Sequence, residues 1–430
     1  MPKINQTEYN LDVTTLITVF GTPGIYAQTT SGIATVCVTN IPQLEVTFQI
    51  ETNQYGIFLL SNTTYIKYTG CVYLAPNAVH TLSLVKPTSG VQWLLNCTSA
   101  FDVSWSPTLA WISAVSQALT DPPPRQARKL AVLALCIYQA IVSNSTEFDR
   151  AVANEAAYAA VGIILPSFNR TALYNSFPKL NDPSGVQTYV AGLITTLAYP
   201  AQADNPVYSG PPPICVPPFL WTGSNPVLPN WSQVPYLANT YTAVTPNPSP
   251  TIPAEATQLV NIDNNLTLPQ TRIALYFATS PPAHLTAIVL SMLAQKKFGE
   301  EVNNSQIMAL ILMALSDAGV YAWTEKYRYW GIRPIQYISG FQSLIPTPNF
   351  PGYISGHSTF SAAVAEMLSK LVPECGAIMQ HIADVSGISR LYGGIHFSSD
   401  NVVGLAAGRS IADSIFNNKL TEIQNRQVFI

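Results

Sequence analysis

Charge is what this sequence has least of. Lys, Arg, Asp and Glu make up 10% of its 430 residues, against the roughly 25% usual in soluble proteins, and the formal balance is −3. Such a chain offers no basic face for nucleic acid and no polybasic patch for an anionic membrane. Histidine is scarce, with five residues, and the six cysteines (Cys37, Cys71, Cys97, Cys136, Cys215, Cys375) form no CxxC pair and no metal-ligand spacing, so a zinc site is unsupported. A disulfide, if one forms, is placed among the first three. The longest apolar runs, 130–142 and 309–315, fall short of the 18 or so residues that read as a membrane span, and none is expected. The first 30 residues lack the basic, apolar, small-residue order of a signal peptide, which leaves location open between the cell interior and an extracellular or surface position.

Apolar residues are plentiful, at 48%, enough for a sizeable core and two domains. Up to residue 105 the pattern is short runs rich in Val, Ile, Thr, Tyr and Phe, at 35–38, 44–50, 55–60, 64–68, 72–74, 81–85 and 91–95. Gly, Pro and Asn punctuate them, as in a small β-sandwich or barrel. Residues 1–105 are therefore read as a β-rich domain. From 106 to 430 apolar residues recur at i, i+3, i+4 and i+7, predicting helices at 109–119, 127–142, 148–164, 185–198, 284–298, 305–321, 358–371, 377–386 and 401–416. Fifteen of the 34 prolines fall in 200–269, which reads as a long extended connection packed on a mainly α domain. Eight Asn-x-Ser/Thr triplets, among them Asn144, Asn230 and Asn303, are a weak sign of a glycosylated surface in so Asn-rich a chain.

Chemistry-bearing residues collect after residue 320. Lys326 and Arg333 stand seven apart, about two helical turns, so both heads would leave one face before Pro334 ends the helix; an ordinary solvated face carries the same pattern. Pro351 and Gly352 mark a turn, and Ser355-Gly356-His357 sit where a helix begins. Free N–H groups and the positive dipole end favour an anion there, although a Ser in that place also serves as a plain N-cap. Arg390 precedes the Gly393-Gly394 turn that returns His396. Taken together, these cations, amides, a hydroxyl and two histidines are the set needed to hold a tetrahedral oxyanion in a dry site.

Lys-x6-Arg-Pro (Lys326, Arg333, Pro334), Ser-Gly-His (Ser355–His357) and Ser-Arg-x5-His (Ser389, Arg390, His396) occur in order. This signature resembles that shared by vanadium-dependent haloperoxidases and phosphatidic acid phosphatase type 2 enzymes, with Ile354 departing from the usual Pro. The segments 122–125 and 281–284 resemble soluble bacterial haloperoxidase-like proteins more loosely. The resemblance implies a helical bundle in which Lys326, Arg333, Ser355, Gly356 and Arg390 bind the oxygens of vanadate or phosphate. It also implies that His357 is the acid/base, that His396 ligates vanadium or attacks phosphorus, and that Lys326 is catalytic in the haloperoxidase, polarising the peroxide.

Three functions follow as expectations. The first is a vanadate-dependent haloperoxidase oxidising halide with hydrogen peroxide, favoured because Trp323 and Phe350 match aromatic positions near the halide in chloroperoxidase-like members. The second is a cofactor-free phosphatase cleaving phosphate monoesters through a phosphohistidine, and the third a catalytically silent surface or structural protein. Asp400, four residues after His396, is placed either behind that imidazole or as an N-cap of the last helix. His284, His381 and His80 are read as structural, and pairing of chains through a helical face such as 151–164 is left open.

Overall fold

A computed structural model describes residues 103–430, apart from 145–148, 239–240, 242–244, 297–298 and 430, and ahead of them the backbone of eight strands. The strands are β1 (Leu16–Val19), β2 (Ile25–Thr30), β3 (Ile33–Val38), β4 (Glu45–Glu51), β5 (Ile57–Ser61), β6 (Gly70–Tyr73), β7 (Val79–Val85) and β8 (Leu94–Thr98). They form two four-stranded sheets, ordered β1-β4-β7-β8 and β2-β3-β5-β6. Pairing is antiparallel except between β3 and β5, which run parallel with Ile33 opposite Ile57. The strand expected at 64–68, the sandwich packing and the side chains of Cys37, Cys71 and Cys97 lie outside the described residues.

The chain divides into two compact units. One comprises Met1–Asp102, Leu266–Thr279 and Ser291–Lys296; the other comprises Val103–Asn265, Ser280–Leu290 and Lys297–Ile430. The described residues are mainly helical: α1 (Pro107–Ala118), α2 (Pro123–Ser143), α3 (Asp149–Ile164), α4 (Thr171–Asn175), α5 (Ser184–Leu197), α6 (Ile252–Asn264), α7 (Leu268–Tyr276), α8 (Pro281–Lys296), α9 (Glu301–Tyr329), α10 (Pro334–Tyr337), α11 (Gly356–Leu371), α12 (Pro373–Tyr392), α13 (Ser398–Asn418) and α14 (Leu420–Asn425).

Helix α9 is the axis of the second unit, packing against α2, α11 and α13. Among the described residues it is the one helix long and apolar enough, by length and composition alone, to cross a membrane. Its most apolar stretch is 94% buried, and a helix apolar all round in that setting is a core helix. Helices α11 and α13 approach closely because α13 carries Gly404 and Gly408 on the shared face. A Cβ there would come within 2.9 Å of Ser355 O and 2.3 Å of Thr359 O. The face of α3 considered for pairing chains is spent internally, with Val152, Ala153, Ala156, Ala157, Ala160 and Val161 buried.

The proline-rich connection winds around the C-terminal end of α9. The last carbonyls of a helix lack partners within it, and here the connection supplies them. Ile214 and Cys215 donate to Arg328 O and Tyr329 O at 3.0 and 3.3 Å, and Trp221 donates to Trp330 O at 2.8 Å. Further along, the Asp317 carboxylate accepts the N–H groups of Leu237 and Ala238 at 2.8 and 3.0 Å. Arg128 donates to Leu197 O and Pro235 O. The connection is not wholly extended: it contains α6, 13 residues long, with Pro253 in its first turn, where a proline costs no hydrogen bond. Asn230, one of the glycan candidates, is buried and donates to Asn205 O and Val207 O, so its amide is committed to the fold.

Two stability outcomes follow. Gly408→Ala should cost about 1–3 kcal/mol, the usual penalty of overpacking a tight core, read as a lower urea midpoint. Burial pushes the Asp317 carboxyl up to about 7, against the opposing effect of the Leu237 and Ala238 amides and Arg128. A carboxyl whose folded value is raised favours the fold while protonated, and that contribution is lost as pH climbs towards 7. Asp317→Asn should therefore be most inferior to the parent near pH 4 and close the gap as pH approaches 8, measured by urea titration at each pH.

Candidate functional site

Five charged or titratable side chains meet at the end of α9: Lys326, Arg333, Arg390, His396 and Asp400, none more than 2% exposed. Each arrives from a different local geometry. Lys326 lies in the last turn of α9, which ends at Tyr329 because Trp330 turns left-handed, with φ 57° and ψ 37°. Arg333 is therefore not on the same helical face, as the seven-residue spacing had suggested. It sits in extended backbone before Pro334, the conformation a following proline favours. The two heads still converge, over the Phe350 ring at 5.2 and 5.1 Å.

Lys326 Nζ donates to three carbonyls, Pro351 O at 3.0 Å, Gly352 O at 2.7 Å and Ile354 O at 2.6 Å. An ammonium has three protons, so all are spent on moulding the loop ahead of Ser355. Towards an anion Lys326 acts as a buried charge, and it reaches an oxygen only by exchanging one of these carbonyls. Burial, and then Arg333, push its pKa well below the ordinary lysine value.

Ser355 is the N-cap of α11. Its hydroxyl oxygen accepts from Ser358 N at 3.4 Å, and its own N–H donates to Asp400 O at 2.9 Å. Capping and anion binding are compatible here, because the hydroxyl proton remains to donate. Gly356 and His357 open α11, where first-turn amides have no intrahelical acceptor. His357 is half-buried and acts electrostatically on His396.

Arg390 lies in the last turn of α12 and donates through Nε to Ser389 Oγ at 2.9 Å. The Gly393-Gly394 turn, with Gly394 at φ 73°, then returns the chain so that Ile395 O accepts from Arg333 Nη1 at 2.7 Å. His396 follows. Its Nδ1 lies 2.7 Å from Asp400 Oδ2 and its Nε2 lies 3.0 Å from Arg333 Nη1. With the carboxylate on Nδ1, the proton belongs there and Nε2 presents a lone pair. Burial first, then Arg333 and Lys326, hold the imidazole well below its ordinary pKa and keep it neutral.

Asp400 lies behind the imidazole, one of the two places expected for it; it is not the N-cap of α13, which is Phe397, but the third residue of that helix, and the same Oδ2 reaches back to accept Phe397 N–H at 3.2 Å. Burial raises its pKa to about 7, opposed by Lys326 and Arg333. Arg333 and Arg390 are pushed down to about 10 and 9 by burial, yet stay charged at neutral pH. One atom of the cluster lacks a partner: Arg333 Nη2 is buried without a hydrogen bond.

The described segment 306–421 carries every one of these residues. It matches the PAP2 superfamily. Vanadium chloroperoxidase of Curvularia inaequalis is 26% identical over 119 residues, spanning 21% of this chain and 20%, about a fifth, of that protein. The structure of a bacterial vanadium-dependent iodoperoxidase aligns with a TM-score of 0.54 at 18% identity, over 73% of this chain and 96% of that one. An apo-type bacterial vanadium-dependent chloroperoxidase aligns at 0.57 and 13% identity, over 72% and 96%. At such identities these structures establish a shared vanadium haloperoxidase-like fold. The resemblance read from the PAP2-matching segment's three motifs is thus borne out.

Trp323 and Phe350 are also brought in, with centroids 5.0 Å apart. Lys326 Nζ lies 5.8 Å from the Trp323 ring, and Trp323 Nε1 donates to Val227 O. His284, read as structural, lies within electrostatic reach of Arg390, and burial together with that guanidinium lowers it to about 4. The sequence reading missed Glu255 of α6, whose Oε2 accepts both Ser399 N–H and Ser399 Oγ at 2.9 Å. No motif flags it, because it lies 144 residues from its partner.

An anion that uses these donors stabilises the fold by mass action, about 2.7 kcal/mol at a hundred times its dissociation constant. Orthovanadate or inorganic phosphate should accordingly raise the thermal midpoint, and Arg333→Ala should abolish the rise.

Proposed function

We propose that this chain is a vanadate-dependent haloperoxidase. The observation that carries the reading is the unpartnered, buried Nη2 of Arg333, on the same guanidinium whose Nη1 lies 3.0 Å from His396 Nε2. A buried donor without an acceptor is costly, and an oxyanion at this point satisfies it. The donor set suits vanadate: Arg333, Arg390, the Gly356 amide and the Ser355 hydroxyl for its oxygens, His396 Nε2 for the metal, and Lys326 for charge balance. Bound vanadate supplies the centre at which hydrogen peroxide is activated to oxidise halide. The chain's own residues hold and orient: Asp400 keeps the proton on Nδ1 of His396, and His357 moves protons at the rim. The Trp323 and Phe350 rings form an apolar wall beside two cations, suited to a weakly hydrated halide. The relatives named above, vanadium chloroperoxidase and iodoperoxidase, support the choice.

One observation favours the phosphatase reading. Lys326 has given its three protons to carbonyls, leaving none to polarise a bound peroxide. In that reading Nε2 of His396 attacks phosphorus, the P–O bond to the alcohol breaks, and His357 protonates the leaving oxygen. Water then attacks the phosphohistidine, His357 takes its proton, and phosphate leaves.

The deciding experiment incubates the protein with orthovanadate and assays bromide and chloride oxidation by hydrogen peroxide, beside aryl phosphate hydrolysis without vanadate. Halide oxidation abolished in His396→Ala, and reduced about 10²–10⁴-fold in His357→Ala, is the expected result. Phosphate release without halide oxidation would replace this reading with the phosphatase. Inactivity in both, with no anion bound, would leave a silent structural protein.

A further inference from the structure

Helix α6 lies outside the PAP2-matching segment but supports the site from the side. Ile252 and Ala256 pack against Ile332 and Phe397, the neighbours of Arg333 and His396. Glu255 projects from the same helix one residue before Ala256 and is half-buried. Its Oε2 accepts two hydrogen bonds from Ser399, the second residue of α13.

We propose that Glu255 is a positioning residue, whose carboxylate clamps the first turn of α13 and so sets His396 and Asp400 in register with Arg333. The reason lies in what occupies the N-cap. Phe397 stands there, and a phenyl ring has no oxygen to accept the orphan amides of a first turn. The task is divided between two carboxylates. Asp400 takes Phe397 N–H while holding His396 Nδ1; Glu255 takes Ser399 N–H from a distant part of the chain. Asp400 is thereby freed to serve the imidazole, and the apolar contacts of α6 bind the His396 and Arg333 segments to one support. Glu255 itself contributes nothing to an anion's coordination shell. The inference rests on the proposed function only in taking His396 as the working imidazole.

The test compares the full-length protein with Glu255→Ala, Glu255→Gln and Ser399→Pro. Two readouts are used: vanadate and phosphate affinity by equilibrium dialysis, and the low-field proton resonance of His396 Nδ1–H in anion-free protein. Glu255→Ala should weaken either anion about tenfold, as loss of an outer support commonly does, and should broaden the Nδ1–H resonance by exposing it to exchange. Glu255→Gln keeps an acceptor oxygen and should restore both. An unchanged resonance and affinity in Glu255→Ala, even with a lower thermal midpoint, would overturn the proposal, since a purely structural cap lowers only stability. Should Glu255→Ala fail to fold, Ser399→Pro decides in its place, since a proline in a first turn removes both the N–H and the hydroxyl that Glu255 accepts: a broadened resonance supports the clamp and an unaltered one sinks it. A parent protein that binds neither anion would overturn the proposed function, while the resonance still decides the role of Glu255.

Discussion

Three buried cations are the constraint from which the rest of this site follows. Lys326, Arg333 and Arg390 are buried almost completely, and an isolated charge in such surroundings costs several kcal/mol even after relaxation. The chain meets that cost with backbone oxygens: Phe350, Pro351, Gly352 and Ile354 on one side, Ile395 on the other. These carbonyls belong to loops, because carbonyls inside a helix are already used. The loops at 350–354 and 393–397 have their irregular shapes because they must present oxygens to guanidinium and ammonium groups.

Asp400 brings the necessary negative charge and joins the two histidine functions to the scaffold. Its side chain holds His396 and begins α13, while its main-chain oxygen holds Ser355 at the start of α11. The helix starts that frame the site are therefore tied through one residue. Close contact between α11 and α13, permitted by Gly404 and Gly408, keeps that link short. The proline-rich connection completes the support by taking the last carbonyls of α9 and delivering α6 to the outside of the His396 segment.

Much of this was legible in the sequence. The nine expected helices are present because their apolar positions recur with the helical period over long stretches. The three motifs named the cations and histidines because an oxyanion requires those types in quantity, and few other charges in this chain compete for attention. Other features were not legible. Helix α6 was hidden by flanking prolines, although a proline in a first turn starts a helix as readily as it ends one. The end of α9 was misplaced because Trp330 adopts a left-handed conformation that nothing in its type announces. Lys326 was read as an anion donor, whereas the carbonyls of the loop beside it take all its protons.

By itself the sequence determined the helical character of residues 106–430, the identity of the clustered cations and histidines and their resemblance to a family's motifs, since each depends on residue type and local spacing. Tertiary structure decided the convergence of the cluster, the proton position on His396, the carbonyl cage around Lys326 and the reach of Glu255 to Ser399. Each of these depends on which atoms meet across long stretches of chain. Hydrogen bonds act over about 3 Å, a scale that sequence spacing does not encode once the chain has turned back on itself.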